Sequence, residues 1–572
     1  MSASKMYSTY RPKERNWPAF ANAKPLRLPM GEKLQNWLQS GTVFNVTLYL
    51  SAALFVALVL LVPLYLFIRT GTAWAKAVET LLRPATLQVL GNTVLLSVSV
   101  TLGATVLALP LAWLTTRTDL PGRRLWAVLH ALPLVIPSYI YAFLFLSFLS
   151  PKGLLQQMLQ RPFNIERLPP IYGFTGAFIV LTLISYPYIF LTVQAALRQM
   201  DWTLLEVAQT NGATKWQITR HVLLPYLWPS LTAGGLLVML YTLRDFGAVS
   251  LLQFSTFTRV IYNRYQGFQL DEAATMASVL VLMTGIIMLF ESRFRAETAA
   301  LADEEICDSS RPRQMALGRG RWAALGFTSL VSFFALIMPV GILVYWLVRG
   351  LRHDLLNGMV GLVQQNSISL LELLAPAQLS VTTGLLTAVF AVLIAIPITI
   401  LSVRHQSRWA KLLTTLSYGG YALPGIVVAL AFVFAGINFL RPFYQTLPLL
   451  LAAYMVLFVP QAVSAGRGVL ARLPVELEEV GYSLGGSRWA ILRYVILPLI
   501  RPGLLAGGLL VFLTVMKELP ATLLLSPLGS RTLPMLVWSN ISEAFFARAA
   551  APTLLLLLLS SVPLAWFSLR KG

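Results

Sequence analysis

EVAQTNGATKWQITRHVLLP occupies residues 206–225, and EVGYSLGGSRWAILRYVILP occupies residues 479–498. The two stretches lie 273 residues apart and share glutamate, valine, glycine, tryptophan, isoleucine, arginine, leucine and proline at matching positions. Each stretch is polar, yet long apolar segments flank it on both sides. The repetition therefore predicts a chain of two related halves, each of which presents one such loop outside a membrane.

The composition supports a membrane protein. Hydrophobic residues make up 57% of the 572 residues and charged residues only 12%. Soluble domains carry roughly 25% charged residues, and a helix that crosses a bilayer needs about 20 apolar residues. We predict an all-α polytopic membrane protein with about twelve transmembrane helices. The predicted spans lie near residues 46–68, 89–115, 125–149, 173–195, 231–253, 273–291, 323–348, 380–402, 412–438, 447–466, 503–526 and 550–568.

The net charge of +21 has a topological explanation. The basic residues cluster in alternate segments between the spans, as the positive-inside rule arranges them, and do not gather on one soluble face. We therefore expect contact with membrane lipid and none with nucleic acid, and we place both termini in the cytoplasm. The single cysteine, Cys307, excludes an intrachain disulfide and a cysteine-based metal site.

The repeat extends beyond the two loops. LTAGGLLVMLYTLRDFGAVSLL (231–252) matches LLAGGLLVFLTVMKELPATLLL (504–525) at the same offset, whereas upstream Pro137 corresponds to Pro424 at an offset of 287. Two parallel six-helix repeats imply a pseudo-two-fold axis along the membrane normal, with a pathway where the halves meet. The predicted organisation is a basic cytoplasmic tail (1–45), a first half (46–292) with its loop at about 198–228, a linker (293–322), and a second half (323–572) with its loop at about 470–501.

The spacing within each loop predicts a short helix, a turn and a second helix. A glycine stands six residues after the glutamate, where it can end a helix in a left-handed conformation. The pattern resembles the EAA motif of ABC importer permeases, although Gly481 replaces the second alanine and Val222 and Val495 replace the isoleucine. An amphipathic helix that only holds two spans apart is the alternative. The resemblance implies that these residues dock on an ATPase: Glu206, Ala208, Gly212, Trp216, Pro225, Glu479, Gly481, Gly485, Trp489 and Pro498.

The chain contains no G-x-x-x-x-G-K-[ST] phosphate-binding loop, so we expect no enzymatic activity and no cofactor in this chain. The resemblance implies the type I ABC importer permease fold in a bacterial inner membrane. It also implies that two copies of a separate ATPase subunit bind ATP and Mg²⁺. A periplasmic or lipid-anchored substrate-binding protein would then deliver the substrate.

Further segments resemble the fused permeases of iron(III) ABC importers. They are ALPLVIPSY (131–139), LRDFGAVSLL (243–252), FTRVIYNRYQG (257–267) and KELPATLLL (517–525). The resemblance implies an iron(III) permease, with thiamine, phosphonate and polyamine as alternative substrates of the same machine. A twelve-helix secondary transporter of the major facilitator type is a different class, but it would not carry a matched loop between spans four and five of each half.

Two charge pairs recur inside the predicted spans. Arg244–Asp245 and Lys517–Glu518 occupy equivalent positions more than ten residues into spans five and eleven, and a helix breaker follows each. Charge at that depth costs several kcal/mol, about 3 per residue by the lower estimates. One hypothesis places all four residues along the substrate pathway, with Asp245 and Glu518 as oxygen ligands for a hard cation and the basic residues beside an accompanying anion. The alternative is a salt bridge that locks the halves together.

The remaining polar candidates are weaker. We expect His130 to be a packed core histidine, and His221, His353 and His405 lie in loops without ligand spacing. No Ser/His/Asp or Cys/His combination suggests catalysis.

Overall fold

The computed structural model describes residues 41–200, 203–304, 315–357 and 370–569, with backbone only at 41, 161, 203–206, 215, 291–304, 353–357, 370 and 562–569. Within these ranges the regular structure is helical, apart from one backbone bridge between Thr118 and Met315. The α-helices of the first half are α1 (Gly41–Thr72), α2 (Trp74–Leu82), α3 (Pro84–Arg117), α4 (Arg123–Ala131), α5 (Ser138–Leu149), α6 (Leu154–Phe163), α7 (Phe174–Gln199), α8 (Thr203–Thr210), α9 (Lys215–Ile218), α10 (Leu224–Arg244), α11 (Gly247–Leu251), α12 (Phe257–Gln266) and α13 (Leu270–Glu304). Those of the second half are α14 (Arg321–Ser332), α15 (Met338–Asn357), α16 (Leu370–Arg404), α17 (Arg408–Ala422), α18 (Gly425–Asn438), α19 (Leu447–Leu470), α20 (Glu476–Ser483), α21 (Arg488–Ile491), α22 (Leu497–Val515), α23 (Pro520–Leu525), α24 (Leu533–Ser542) and α25 (Phe546–Leu569).

The helices confirm the predicted all-α polytopic class. In the described part of the chain, ten helices are long and apolar enough to cross a membrane, and α17 with α18 forms one further bent pair. The shorter apolar helix Phe546–Ser561 falls on the last predicted segment. Taken together, these elements correspond one for one to the twelve predicted segments. The hydrophobic pattern therefore located these described elements, although not their shape.

The third span of each half is broken rather than continuous. In the first half, α4 ends at Ala131 and α5 begins only at Ser138, after a 3₁₀ turn (Leu132–Val135). In the second half, α17 and α18 meet at an angle of 108°. A proline disfavours helical geometry in the residue before it, and Ile136 and Leu423, which precede Pro137 and Pro424, are both extended. The matched prolines therefore explain why both spans break at equivalent positions.

Each half has a core of three long helices. In the first half α3, α7 and α10 pack against one another, and in the second half the equivalent helices α16, α19 and α22 do the same. Glycines allow this close packing. A Cβ on Gly234 of α10 would lie 2.9 Å from the Cα of Ile189 in α7, and one on the equivalent Gly507 would lie 2.8 Å from the Cα of Ala462 in α19. The two cores thus use the same contact at matched positions.

The first span of each half packs on the opposite half. Helix α1 lies against α16, α17, α18 and α19 of the second half, and Tyr65 contacts Phe434 with ring centroids 5.0 Å apart. In return, the span formed by α14 and α15 contacts the first half, where the Tyr141 hydroxyl donates to the carbonyl of Ala335 at 3.0 Å. The halves therefore exchange their first spans, and neither half completes its packing alone.

The end of the linker is also attached to the first half. Met315 N donates to the Arg117 carbonyl at 2.9 Å, and Asp119 N donates to the Met315 carbonyl at 3.2 Å. The Asp119 carboxylate then accepts from Leu317 N at 2.9 Å. These bonds fix the start of the second half beside the turn that joins α3 to α4.

Candidate functional site

The two repeated loops adopt the same fold. Each consists of a short helix, a glycine turn and a second short helix: α8, Gly212 and α9 in the first half, and α20, Gly485 and α21 in the second. Gly212 has φ of +78° and Gly485 of +79°, which confirms the predicted left-handed turns. A residue with a Cβ is strained in this region. Glu206 lies in α8, but its side chain falls outside the described residues.

Both loops expose large apolar side chains. Trp216 is 70% exposed and Trp489 is 42% exposed. Trp489 also contacts Phe44 of α1 edge-to-face, with ring centroids 5.1 Å apart. Next to the glutamate, Val207 and Val480 are both exposed, and Ala208 and Gly481 are half-buried at the next position. Several exposed apolar side chains on one polar loop are typical of a protein-binding site.

An arginine at the end of the second span anchors each loop, and it is buried in the first half and half-buried in the second. Arg117 donates to the Met200 carbonyl at 3.4 Å, and the equivalent Arg404 donates to the equivalent Leu473 carbonyl at 3.0 Å. Arg404 also binds the Glu478 carboxylate at 2.7 Å. The sequence pairs the two arginines through the repeat, but it did not reveal their role as anchors, because the partner that they share is a backbone carbonyl.

Each loop joins the following span through a π-turn. The wide turns cover Thr219–Leu223 and Leu492–Ile496, which are equivalent in the repeat. Pro225 and Pro498 follow two residues after each turn. A proline provides no N–H to the carbonyl four residues earlier and its ring clashes with that carbonyl, so a wider turn relieves the conflict. The predicted docking prolines therefore set the angle at which each loop meets its span.

The charge pairs lie at a second break, in the fifth span of each half. Helix α10 ends at Arg244 and α11 begins at Gly247, whereas α22 ends at Val515 and α23 begins at Pro520. Gly247 approaches Tyr139 of α5 so closely that a Cβ would lie 2.6 Å from the tyrosine Cβ. The break in the fifth span thus packs directly beside the break in the third.

The acidic residues cap the helices that follow them. The Asp245 carboxylate accepts hydrogen bonds from Ala248 N at 2.9 Å and Val249 N at 3.3 Å. The Glu518 carboxylate accepts one from Ala521 N at 3.3 Å. Capping satisfies N–H groups that a helix start leaves without partners. Both carboxylates are therefore directed at backbone of their own half.

The basic residues reach across to the other half. Arg244 donates to the Tyr421 carbonyl at 2.8 Å, and Lys517 donates to the Leu134 carbonyl at 3.1 Å. Arg244 and Lys517 are equivalent at the offset of 273, and Leu134 and Tyr421 are equivalent at the offset of 287. The two bonds are therefore one contact made twice, from the fifth span of one half to the broken third span of the other. We call this pair of bonds the cross-half clasp.

No ion pair of 4.0 Å or less joins either charge pair within the described residues. The salt bridge considered from the sequence is thus replaced by hydrogen bonds to carbonyls, because the carboxylates are engaged as helix caps. The part of the chain that the structure describes also holds no group of three or more His, Cys, Asp or Glu residues arranged for a metal ion. His130 is fully buried, and its Nδ1 lies 2.9 Å from the Tyr186 hydroxyl, as expected of a core histidine.

A charged network covers the first half on the face opposite the loops. Glu272 is nearly buried and contacts Arg83 and Arg264, each at 3.2 Å. Arg83 also binds Glu79 at 2.7 Å, and this hydrogen bond lowers the pKa of the Glu79 carboxyl. At the 273-residue offset, Phe545 stands in the position of Glu272. This face therefore differs between the halves, whereas the loop face repeats.

Comparisons with known proteins agree with the duplication. A family model described as "Binding-protein-dependent transport system inner membrane component" matches twice, at residues 104–295 and 388–569. The Fe(3+)-transport system permease protein FbpB 2 of Haemophilus influenzae is 32% identical over 511 residues, which cover 89% of this chain and 94% of that protein. The ferric transport system permease protein FbpB of Actinobacillus pleuropneumoniae is 24% identical over 81% of this chain and 68% of its own length. The sulfate transport system permease protein CysT of Escherichia coli is 30% identical over 257 residues, or 43% of this chain and 91% of CysT.

Proposed function

The chain belongs to the family of binding-protein-dependent transport system inner membrane components, and we propose that it is the permease subunit of an ABC importer for iron(III). It is a multi-pass membrane protein of a bacterial transporter family. The duplicated loop carries the proposal, because two equivalent loops at one face fit two copies of one partner. The similarity to a Fe(3+)-transport permease over almost the whole of both chains supports iron(III) as the substrate.

The two loops are the proposed docking sites for two ATPase subunits. Exposed Trp216 and Trp489 supply apolar contact area, and the glycine turns and arginine anchors fix the loop helices. We propose that both loops and both termini lie in the cytoplasm, an orientation that the distribution of basic residues favours. ATP and Mg²⁺ then bind to the partner, and this chain provides the pathway.

The opposite face is the proposed docking site of a substrate-binding protein. Among the described residues, the ion pairs of this face lie in the first half, around Glu272, Arg83 and Arg264. A binding protein with two unlike lobes would meet two unlike surfaces there. The asymmetry therefore fits a single asymmetric partner, just as the symmetric loop face fits a pair of identical ones.

An oxyanion is the second candidate substrate. The observation that favours it is the similarity to sulfate permeases, which covers 91% of the length of the Escherichia coli protein. That similarity spans only 43% of this chain, whereas the similarity to the Fe(3+)-transport permease spans 89%. Iron(III) is therefore the better supported cargo.

Uptake by the complete complex tests the proposal. The chain, its ATPase and its binding protein are reconstituted in lipid vesicles and supplied with ⁵⁵Fe(III), ³⁵S-sulfate or ¹⁴C-thiamine. We expect ATP-dependent accumulation of iron, none without the ATPase, and no hydrolysis of ATP by the chain alone. Accumulation of sulfate or thiamine in place of iron would contradict the iron assignment, and transport without ATP would contradict the ABC assignment.

A further inference from the structure

The charged groups at the centre of the molecule are not equally available to a cargo. Asp245 is only 7% exposed, and its carboxylate caps α11. Glu518 is half-buried and caps α23, and its Oε1 fills the space where a Cβ on Gly425 would lie. Both carboxylates are therefore turned toward helix starts of their own half, where they satisfy backbone N–H groups.

The basic groups have a different kind of partner. Arg244 and Lys517 are half-buried, and each donates to one neutral carbonyl of the opposite half. A guanidinium has five N–H donors and an ammonium three. The bond to the carbonyl uses one donor of each cation, so the cation has further donors that can bind other acceptors. These two bonds also cross the boundary between the halves. Any motion that separates the halves breaks them, while the acidic caps stay intact.

Separation of the halves then leaves two cations at equivalent depth, one on each side of the gap. An uncompensated charge in a low-dielectric interior is costly. Anionic oxygen atoms would satisfy both cations, because hydrogen bonds between ionised partners are stronger than those to a neutral carbonyl. A bare trivalent cation would instead be repelled by both.

Neutral donors surround the same place. Tyr188 and Tyr241 are half-buried with ring centroids 5.6 Å apart, and the Arg244 guanidinium lies 5.8 Å from the centroid of the Tyr421 ring. Hydroxyl groups donate hydrogen bonds to oxyanions as readily as they accept them. The surroundings thus complement a ligand that carries oxygen acceptors.

We propose that Arg244 and Lys517 form a binding site for anionic oxygen atoms of the cargo, so that iron(III) crosses as a complex with an oxyanion. The site alternates between two sets of acceptors, the Tyr421 and Leu134 carbonyls when the halves are closed and the cargo oxygens when they part. This inference rests on the proposed function for the identity of the metal. The need for an anionic ligand is argued from the cross-half clasp, whose two cations lose their carbonyl partners when the halves separate.

A charge-replacement series in the reconstituted complete complex tests the site. The neutral variants Arg244→Gln and Lys517→Gln are compared with the charge-keeping variants Arg244→Lys and Lys517→Arg, using ⁵⁵Fe(III) supplied with ³²P-phosphate. Hydrogen bonds to ionised groups are worth enough that we expect each neutral variant to lose about tenfold or more of the uptake rate. The charge-keeping variants should retain most of it. Unchanged or faster iron uptake in the neutral variants would overturn the proposal, because removing a positive charge eases the passage of a bare cation.

The wild-type complex supplies a second measurement that needs no variant. With phosphate as the sole oxyanion supplied, we expect ³²P and ⁵⁵Fe to accumulate in a constant ratio as their supply is varied, and accumulation of iron without phosphate under this condition would overturn the proposal. The anion site and the iron(III) assignment can be rejected independently of each other. Transport of phosphate or sulfate without iron, lost in the neutral variants, would retain the anion site and reject the iron assignment. Iron transport that is indifferent to phosphate and to both neutral substitutions would retain the iron assignment and reject the site.

Discussion

Gly212 and Gly485 show what a single residue contributes to the loops. Both have φ near +80°, and a Cβ built on either meets no atom within 4 Å. A side chain at these positions would therefore fit in space but strain the backbone. The glycines are therefore required because the turn needs a positive φ, and not because a neighbouring atom would clash with a side chain.

We expect Gly212→Val and Gly485→Val to weaken ATPase docking without unfolding the spans. A β-branched residue in the left-handed region costs about 1–2 kcal/mol, and the strain falls on an exposed turn outside the bundle. Because each exposed turn can relax locally, the double variant should lose only a few degrees of melting temperature, yet it should co-purify with less ATPase. Gly468→Val is the matched control, because Gly468 is also exposed and open, but its φ is not positive. Undiminished co-purification by the double variant would contradict the docking role.

The charge pairs mark the limit of residue-level prediction. Their depth, their recurrence in both halves and the helix breakers beside them are all visible in the sequence, and the structure places Arg244 and Lys517 at matched breaks. Their partners were not predictable, since the Tyr421 and Leu134 carbonyls are backbone atoms that every residue carries. Sequence patterns identify side chains, so contacts to backbone across a tertiary interface stay hidden.

At the scale of helices, the apolar runs predict where the spans lie, but they do not show where a span is interrupted. The segment 125–149 is predicted as one span, but it contains most of α4, a 3₁₀ turn and the whole of α5. The segments 231–253 and 503–526 are apolar throughout, but the helix breakers Gly247 and Pro520 predict a broken helix in each, and α10 indeed ends at Arg244 and α22 at Val515. Apolar composition continues across each break because both flanking pieces are buried. Only the prolines and glycines signalled the interruptions.

The π-turns carry an element-scale prediction. Pro225→Ala and Pro498→Ala restore an N–H, so each wide turn can close to a regular α-turn. The change rotates the loop helix by about 100° relative to its span, one residue of an α-helix. We expect the double variant to be more stable, because a helix-interior proline costs about 3 kcal/mol. The complete complex that contains it should still hydrolyse ATP, but uptake measured per ATP hydrolysed should be lower.

Two further prolines provide the control for this experiment. Pro229 and Pro502 are also equivalent in the repeat and lie inside α10 and α22, four residues beyond Pro225 and Pro498. No wide turn precedes them at the same distance. Pro229→Ala and Pro502→Ala should therefore raise the melting temperature similarly but leave transport per ATP unchanged. Equal coupling in both double variants would show that the π-turns do not set the loop angle.

For the whole molecule, the exchange of first spans is the feature that hydropathy could not predict. The repeat indicated two parallel halves, but composition does not specify which helices touch. Phe44 of α1 packs on Trp489, Arg488 donates to Asn45 at 2.9 Å, and the Tyr49 and Ser407 hydroxyls lie 2.7 Å apart. The first span thus contacts the loop of the opposite half, which links the position of one half to the docking surface of the other.

This exchange predicts how the chain behaves when it is divided. Fragments 1–309 and 310–572, expressed together, should assemble and melt near the temperature of the intact protein, because every contact between the halves is retained. Either fragment alone should aggregate or be degraded in the membrane, since it lacks the first span of the other half, which covers its core. Removal of residues 1–72 from the first fragment is the critical comparison. It leaves most of the first half intact, yet it should destabilise the second half by exposing the surfaces of α17 and α19 that α1 covers. Co-purification and thermal unfolding of the fragment pairs measure this, and independent stability of the fragment 310–572 would contradict the exchange as a folding requirement.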